Sequence, residues 1–192
     1  MQQQSPAAPA VRPPVFLGCT AALLAVFAVV VAAVFFVGFL QSGADTGKRT
    51  LNAAVAYAPG TIQYVSQQNL YVARTPDGQL LALSDLDAAN RAAQVRCRVG
   101  EIAPNDPTLP QLLKEYGARM SPQALDSTVL LQESCHNAIY DYTGLRLDSN
   151  GPNLERYAVS IDAQGKLVVD VSKRTCTQRE GQNDFAVIPC PK

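Results

Sequence analysis

Histidine occurs once in this 192-residue chain, at His136, and no Asp or Glu precedes Asp45. A single imidazole rules out any centre that needs two. Neither a Ser-His-Asp arrangement nor a glycine-rich phosphate loop is present, so no hydrolytic or nucleotide chemistry is marked. A basic excess is also missing. Beyond residue 40 there are 15 Lys plus Arg (all 16 except Arg12) against 16 Asp plus Glu, a formal charge of minus one. That is no footprint for nucleic acid. The five cysteines include no C-x-x-C pair of the kind that announces a zinc site.

Residues 15–40 run for 26 positions without a charge. As a helix at about 1.5 Å per residue they would extend roughly 39 Å, enough to cross a bilayer core of about 30 Å with some tilt. A transmembrane helix is expected there. The run is much longer than the apolar core of a secretory signal, although Ser42, Gly43 and Ala44 have the size a cleavage site needs. Leu17-Gly18-Cys19 is no lipoprotein signal, because the apolar run follows Cys19 instead of preceding it. Gly18, Ala21, Ala22, Ala25, Ala28, Ala32, Ala33 and Gly38 would allow another helix to approach closely. Arg12 on one side is balanced by Lys48 and Arg49 on the other, so charge barely sets the orientation. Cysteine usage does more. Cys97, Cys135, Cys176 and Cys190 form an even set outside the helix, which fits two disulfides in an oxidising compartment. The expected arrangement is a single-pass cell-membrane protein with a cytoplasmic N-terminus and an extracytoplasmic, periplasmic-side head.

Proline-rich residues 1–14 read as a disordered cytoplasmic tail, and 41–60 as a linker with a short helix in its Ala-rich second half. From Thr61 the pattern becomes short alternating runs between turn residues, which predicts an antiparallel β domain over 61–172. TIQYV (61–65), NLYVART (69–75), QLLALS (79–84), TVLLQ (128–132), AIYDY (138–142), ERYAVSI (155–161) and KLVVDVS (166–172) are the expected strands. Pro76-Asp77-Gly78 and residues 162–165 are hairpin turns. The helical exception is LPQLLKEY (109–116), with Gly117 as its C-terminal cap, followed by Ser121-Pro122 as a second helix start. Tyr140, Tyr142 and Tyr157 are expected in the core or half-buried in the sheet, while Glu133, Asp141, Asp148 and Glu155 read as solvated carboxylates and not as acid-base pairs.

The run 69–85, a loop with a cysteine, and then ESCHNAIYDYTGLRLDSNGPNLERYAVSIDAQGKLVVDV (133–171) resemble the Rieske iron-sulfur domain family, of the cytochrome bc type. Members of that family hold a 2Fe-2S cluster between two loops, with two thiolates on one iron and two imidazoles on the other. Tyr140-Asp141, Thr143-Gly144 and Gly151-Pro152 follow the second loop in the family's order. The resemblance implies an all-β fold: a Rieske-like antiparallel β-sandwich head with a short helical insertion, on a single N-terminal transmembrane helix. It also implies a disulfide between the two loops. Placing Cys97 and Cys135 on those positions aligns AAQVRC (92–97) and ESCH (133–136) with the loops, so Ala92, Gln94, Glu133 and His136 fall on the ligand positions. One of these four is a family ligand. Because the whole chain has one histidine, the cluster is excluded by counting, and the resemblance is to a degenerate member without cofactor.

Beyond the resembling region, residues 173–192 read as a flap stapled by Cys176 and Cys190, one of three connectivities open to four cysteines. A zinc site from Cys97, His136, Cys176 and Cys190 is the competing use of the same residues. The resulting expectation is a non-catalytic accessory subunit of a respiratory or photosynthetic electron-transfer membrane complex. Its partners are lipid and integral membrane subunits, not nucleic acid. The alternatives are a single-span extracytoplasmic binding or assembly factor, and a redox protein with a non-standard centre that uses Glu133.

Overall fold

The structure is a computed structural model describing residues 27–33, 47–181 and 184–191. The chain divides into two compact units, Met1–Asp45 and Thr46–Lys192. Of the first unit only 27–33 is described, and it is helical. Among the described residues no helix is long and apolar enough to cross a membrane. The expected tail, and the expected 15–40 span apart from 27–33, lie outside the described residues.

The second unit is mostly β. Its strands are β1 (Lys48–Ala53), β2 (Thr61–Val65), β3 (Leu70–Arg74), β4 (Leu80–Asp87), β5 (Val99–Glu101), β6 (Leu130–Glu133), β7 (Ile139–Asp141), β8 (Leu154–Ile161), β9 (Lys166–Arg179) and β10 (Phe185–Ile188). Seven form one antiparallel sheet in the order β1-β9-β8-β4-β3-β2, with β10 on the far half of β9; β5-β6-β7 form a second sheet. Alternation along β3 and β4 explains how the large sheet is buried on both faces. Tyr71, Ala73, Leu81 and Leu83 face the small sheet, where they meet Val99, Leu130, Leu131, Ile139, Tyr140 and Leu147. Their neighbours Leu70, Val72 and Ala82 face the other way and pack with Leu167, Val169 and Leu51. Strands from opposite ends of one sheet can share a cluster only if the sheet curls onto itself. The helix Leu109–Tyr116 covers the first cluster with Leu109, Leu112, Leu113 and Tyr116.

Both expected hairpins form. Gly78 closes the first at φ +92°, its amide donating to the Thr75 carbonyl at 2.9 Å. Asp162 closes the second by accepting from the amides of Gln164 and Lys166. Other expectations are corrected. The segment 41–60 is not simply a linker, since Lys48–Ala53 is a strand paired with β9 and Ala54–Ala56 is the short helix. KRTLNA has one large apolar residue, so its period-two signal is weak, and a partner distant in sequence makes it a strand. Gly117 does not end its helix in a left-handed turn; it keeps a right-handed conformation (φ −53°) and leads into a 3-10 turn. Ser121 starts a 3-10 turn without a side-chain cap, because its hydroxyl is bonded to Thr143 instead.

The boundary expected at residue 173 does not exist. β9 continues to Arg179, bulging where Ala158↔Asp170 gives way to Tyr157↔Arg174. The Asp170 carboxylate holds that bulge by accepting from the amide and hydroxyl of Ser172. β10 then pairs back along β9, and the Cys176–Cys190 disulfide closes the hairpin at a sequence separation of 14. Loop closure of that size removes denatured-state entropy worth about 3 kcal/mol. A Cys176→Ser/Cys190→Ser variant should therefore lose about 3 kcal/mol in urea unfolding. Amide exchange in β3 and β4 should stay the slowest in the domain.

Candidate functional site

The two loops singled out by the sequence meet at one end of the small sheet. One runs from the end of β4 through the helix Ala88–Ala92 to β5, and the other is the turn between β6 and β7. The Cys97–Cys135 disulfide joins them with the Cα atoms 5.4 Å apart. Cys97 is buried, whereas Cys135 and His136 are exposed. A cavity of about 410 Å³ lies beside them, with Asp87, Asn90, Glu133, His136, Ala138 and Arg146 in its lining.

Glu133 organises the second loop. Its side chain is 1% exposed, yet each carboxylate oxygen has an amide partner: Cys135 N at 2.8 Å and His136 N at 2.6 Å. His136 Nδ1 lies 3.3 Å from the same carboxylate, while the ring projects into solvent. Asn137 turns the chain at φ +59°, and the Glu133 amide donates to the Ala138 carbonyl. The carboxylate therefore folds the turn that follows it, with two charge-assisted bonds doing so.

Asp87 plays the corresponding part in the first loop. It is the N-cap of the helix Ala88–Ala92, accepting from the Asn90 amide at 2.7 Å, and it also accepts from the Tyr140 hydroxyl at 2.8 Å. Burial, and secondarily the neighbouring Asp87 charge, push the Tyr140 hydroxyl well above its ordinary pKa. Tyr140 is thus a neutral donor. Arg91 from the same helix reaches Glu155 on β8 (Nε to both oxygens, 2.8 and 3.0 Å), and Arg174 approaches that carboxylate from β9 at 3.3 Å. The first loop is a helical turn anchored at both ends, and Gln94 after it takes φ +57°.

The Tyr140-Asp141 and Thr143-Gly144 pairs have a clear physical role. Asp141 is fully buried, with Oδ1 accepting from Thr143 N, Thr143 Oγ1 and Leu145 N, and Oδ2 accepting from Ser121 N. Gly144 sits at φ +85°, and a Cβ there would come within 3.1 Å of Leu154 Cβ. Gly151 lies against Arg146, and a Cβ there would sit 3.2 Å from the guanidinium. That guanidinium lies over the Tyr140 ring at 5.9 Å and is bidentate to Asp148.

Glu133, Asp141 and Glu155, read as solvated, are therefore buried and fully engaged, and Asp148 is half-buried. Sequence reading missed them because the donors that stabilise them are backbone amides and arginines distant in sequence. The three tyrosines are where they were expected: Tyr140 and Tyr142 are buried and Tyr157 is partly buried. Of the four aligned ligand positions, Glu133 and His136 line the cavity. Ala92 and Gln94 do not, although their neighbours Ala93 and Val95 do.

A two-iron centre with two imidazoles does not fit this donor set. The Cys97, Cys135 and Glu133 donor atoms lie within 4.8 Å of one another, but the two sulfurs are bonded to each other and the carboxylate oxygens already hold amides. The zinc alternative loses its thiolates in the same way, because Cys176 and Cys190 are also paired.

The Asp148 charge gives the site an acid dependence. Burial alone would raise its pKa, but bonds to its charged form from Arg146, the Ile139 amide and Ser149 outweigh burial and hold it below the ordinary aspartate range. A depressed folded-state pKa stabilises above the unfolded value and ceases to do so as pH falls through the folded one. Wild-type stability should therefore drop between about pH 4 and pH 2 by more than that of Asp148→Asn. Guanidinium titrations of both proteins at pH 5 and pH 2.5 measure the difference.

No family model, curated protein or solved structure matches the chain.

Proposed function

We propose that the chain is a cluster-less, Rieske-like accessory subunit. It would hold partner subunits of a respiratory or photosynthetic electron-transfer membrane complex by a span at 15–40 and by its extracytoplasmic head, without catalysing a reaction. The observation that carries this reading is the pair of cross-linked loops in which the donors nearest the disulfide serve the protein itself. Where the resemblance puts a cluster between the loops, this chain has Cys97–Cys135, the Glu133 turn and the Asp87 cap. Motif order supports the same reading, with Tyr140-Asp141, Thr143-Gly144 and Gly151-Pro152 each explained by packing around those loops. A head without a redox centre has no reason to swing between donor and acceptor. It is expected to be fixed against a larger neighbour.

Purification of the native protein from membranes in mild detergent tests the proposal. The expected result is stoichiometric retention in a complex carrying haem or iron-sulfur subunits, with no iron bound by this chain alone. Substoichiometric recovery, or absence from the mature particle, would make the protein an assembly factor. Iron with a visible absorption band in the isolated chain would make it a redox carrier instead.

A further inference from the structure

A second cavity, of about 410 Å³, lies between the large sheet, the 3-10 turn at Pro122–Ala124 and the C-terminal hairpin. Its volume is within the range of small-molecule sites. Leu81, Pro122, Leu145 and Phe185 provide apolar wall, and the polar side chains of the lining include Gln79, Ser121, Thr143, Asn153, Thr177 and Arg156. We propose that this cavity binds a small amphiphilic monocarboxylate, with Arg156 holding the carboxylate and Phe185 covering the apolar part.

Arg156 projects from β8 on the face shared with Leu83 and Leu154. Its guanidinium donates from one nitrogen to the Thr143 carbonyl at 3.0 Å and makes no ion pair among the described residues. Four other arginines of the head reach carboxylates, since Arg91 and Arg174 share Glu155, Arg98 pairs with Asp85 and Arg146 pairs with Asp148, whereas Arg74 and Arg119, like Arg156, donate to backbone carbonyls but do not line this cavity. The remaining donors of Arg156 have the planar fork that matches a carboxylate.

The hydroxyls beside it do not compete for the charge. Thr143 Oγ1 donates to the Asp141 carboxylate, which can only accept, so the 3.1 Å contact between Ser121 Oγ and Thr143 Oγ1 places the proton on Ser121. Ser121 thereby faces the cavity as an acceptor and repels an anion. Arg156 is the charged side chain of this lining. The buried Asp141 carboxylate behind Thr143 already interacts with the Arg156 charge, which disfavours a second negative charge on the ligand. The cavity has a covalently held wall, because Phe185 belongs to the hairpin closed by Cys176–Cys190.

The test uses the full-length protein in detergent micelles, with 4-(4-fluorophenyl)butyrate observed by fluorine NMR and its neutral amide as the comparison. Protein-free micelles measure partitioning. Saturable binding of the carboxylate, at least about tenfold tighter than the amide, is expected. Arg156→Gln should abolish that preference by weakening the carboxylate far more than the amide, and Phe185→Ala should weaken both. Equal affinity for the two probes, no saturable binding above micelle partitioning, or an undiminished preference in a folded Arg156→Gln would overturn the proposal. The carboxylate-against-amide comparison on the wild-type protein decides it even if a variant fails to fold.

Discussion

Asp141→Ala is expected to destabilise the domain by about 4 kcal/mol or more, enough to leave a large unfolded fraction at physiological temperature. The size follows from the number of donors orphaned. Four groups from two separate segments (Ser121 N from one, Thr143 N and Oγ1 and Leu145 N from the other) converge on one buried carboxylate, and alanine leaves all of them without an acceptor. Charge-assisted bonds of this kind contribute about 1.5–3 kcal/mol each, but they act as one unit and do not add. Asp141→Asn separates the parts. With its oxygen at the Oδ1 position, asparagine keeps the three bonds within the Thr143-Gly144 turn and confronts only Ser121 N with an NH₂ group. A smaller loss of about 1–3 kcal/mol is expected, localised to the 3-10 turn that follows Ser121. Urea unfolding of both variants, with amide exchange at Ser121 and Thr143, checks the ratio. Equal losses in the two variants would mean that the bond from Ser121, and not the turn bonds that asparagine keeps, sets the stability.

The same residue shows how far the sequence can be read. Tyr140-Asp141 followed by Thr143-Gly144 is visible as a pattern, and short apolar or alternating runs between turn residues locate β2, β3, β4, β6, β7 and β8, with β3, β4, β6 and β7 nearly continuous because they are buried on both faces. LPQLLKEY matches the helix Leu109–Tyr116 residue for residue, since its leucines recur at helical spacing. What could not be read depends on partners remote in sequence. Lys48–Ala53 becomes a strand only because β9 lies beside it, and Glu155 is buried only because Arg91 and Arg174 reach it from two other elements. Near the disulfide, Cys97 and Cys135 were legible as a pair through the family resemblance. The role of Glu133 was not, because a carboxylate that accepts from the amides two and three residues later looks in sequence like any surface glutamate.

Removing the Cys97–Cys135 bridge gives the other large expected effect, and the two loops should respond unequally. The bond closes a separation of 38 residues, for which the loss of denatured-state entropy is about 4 kcal/mol. For a folded unit of this size, that corresponds to a fall in Tm on the order of 10 °C. Cys97→Ala/Cys135→Ser should therefore remain folded but be markedly less stable. In the native state of this variant, the turn after Glu133 still has its own carboxylate, so the amides of Cys135 (now Ser) and His136 should remain protected. The stretch between Gln94 and Arg98 has less to hold it. The Val95 amide reaches the Asn90 carbonyl, and Asn90 Nδ2 is 3.5 Å from the Cys97 carbonyl, a weak bond. Hydrogen exchange should accelerate there first. Adding Glu133→Gln to the variant should then release the second turn as well, because a neutral amide offers one acceptor where the carboxylate offered two. Exchange that rises equally in both loops before Glu133 is touched would show that the disulfide, and not the buried carboxylate, folds the turn around His136.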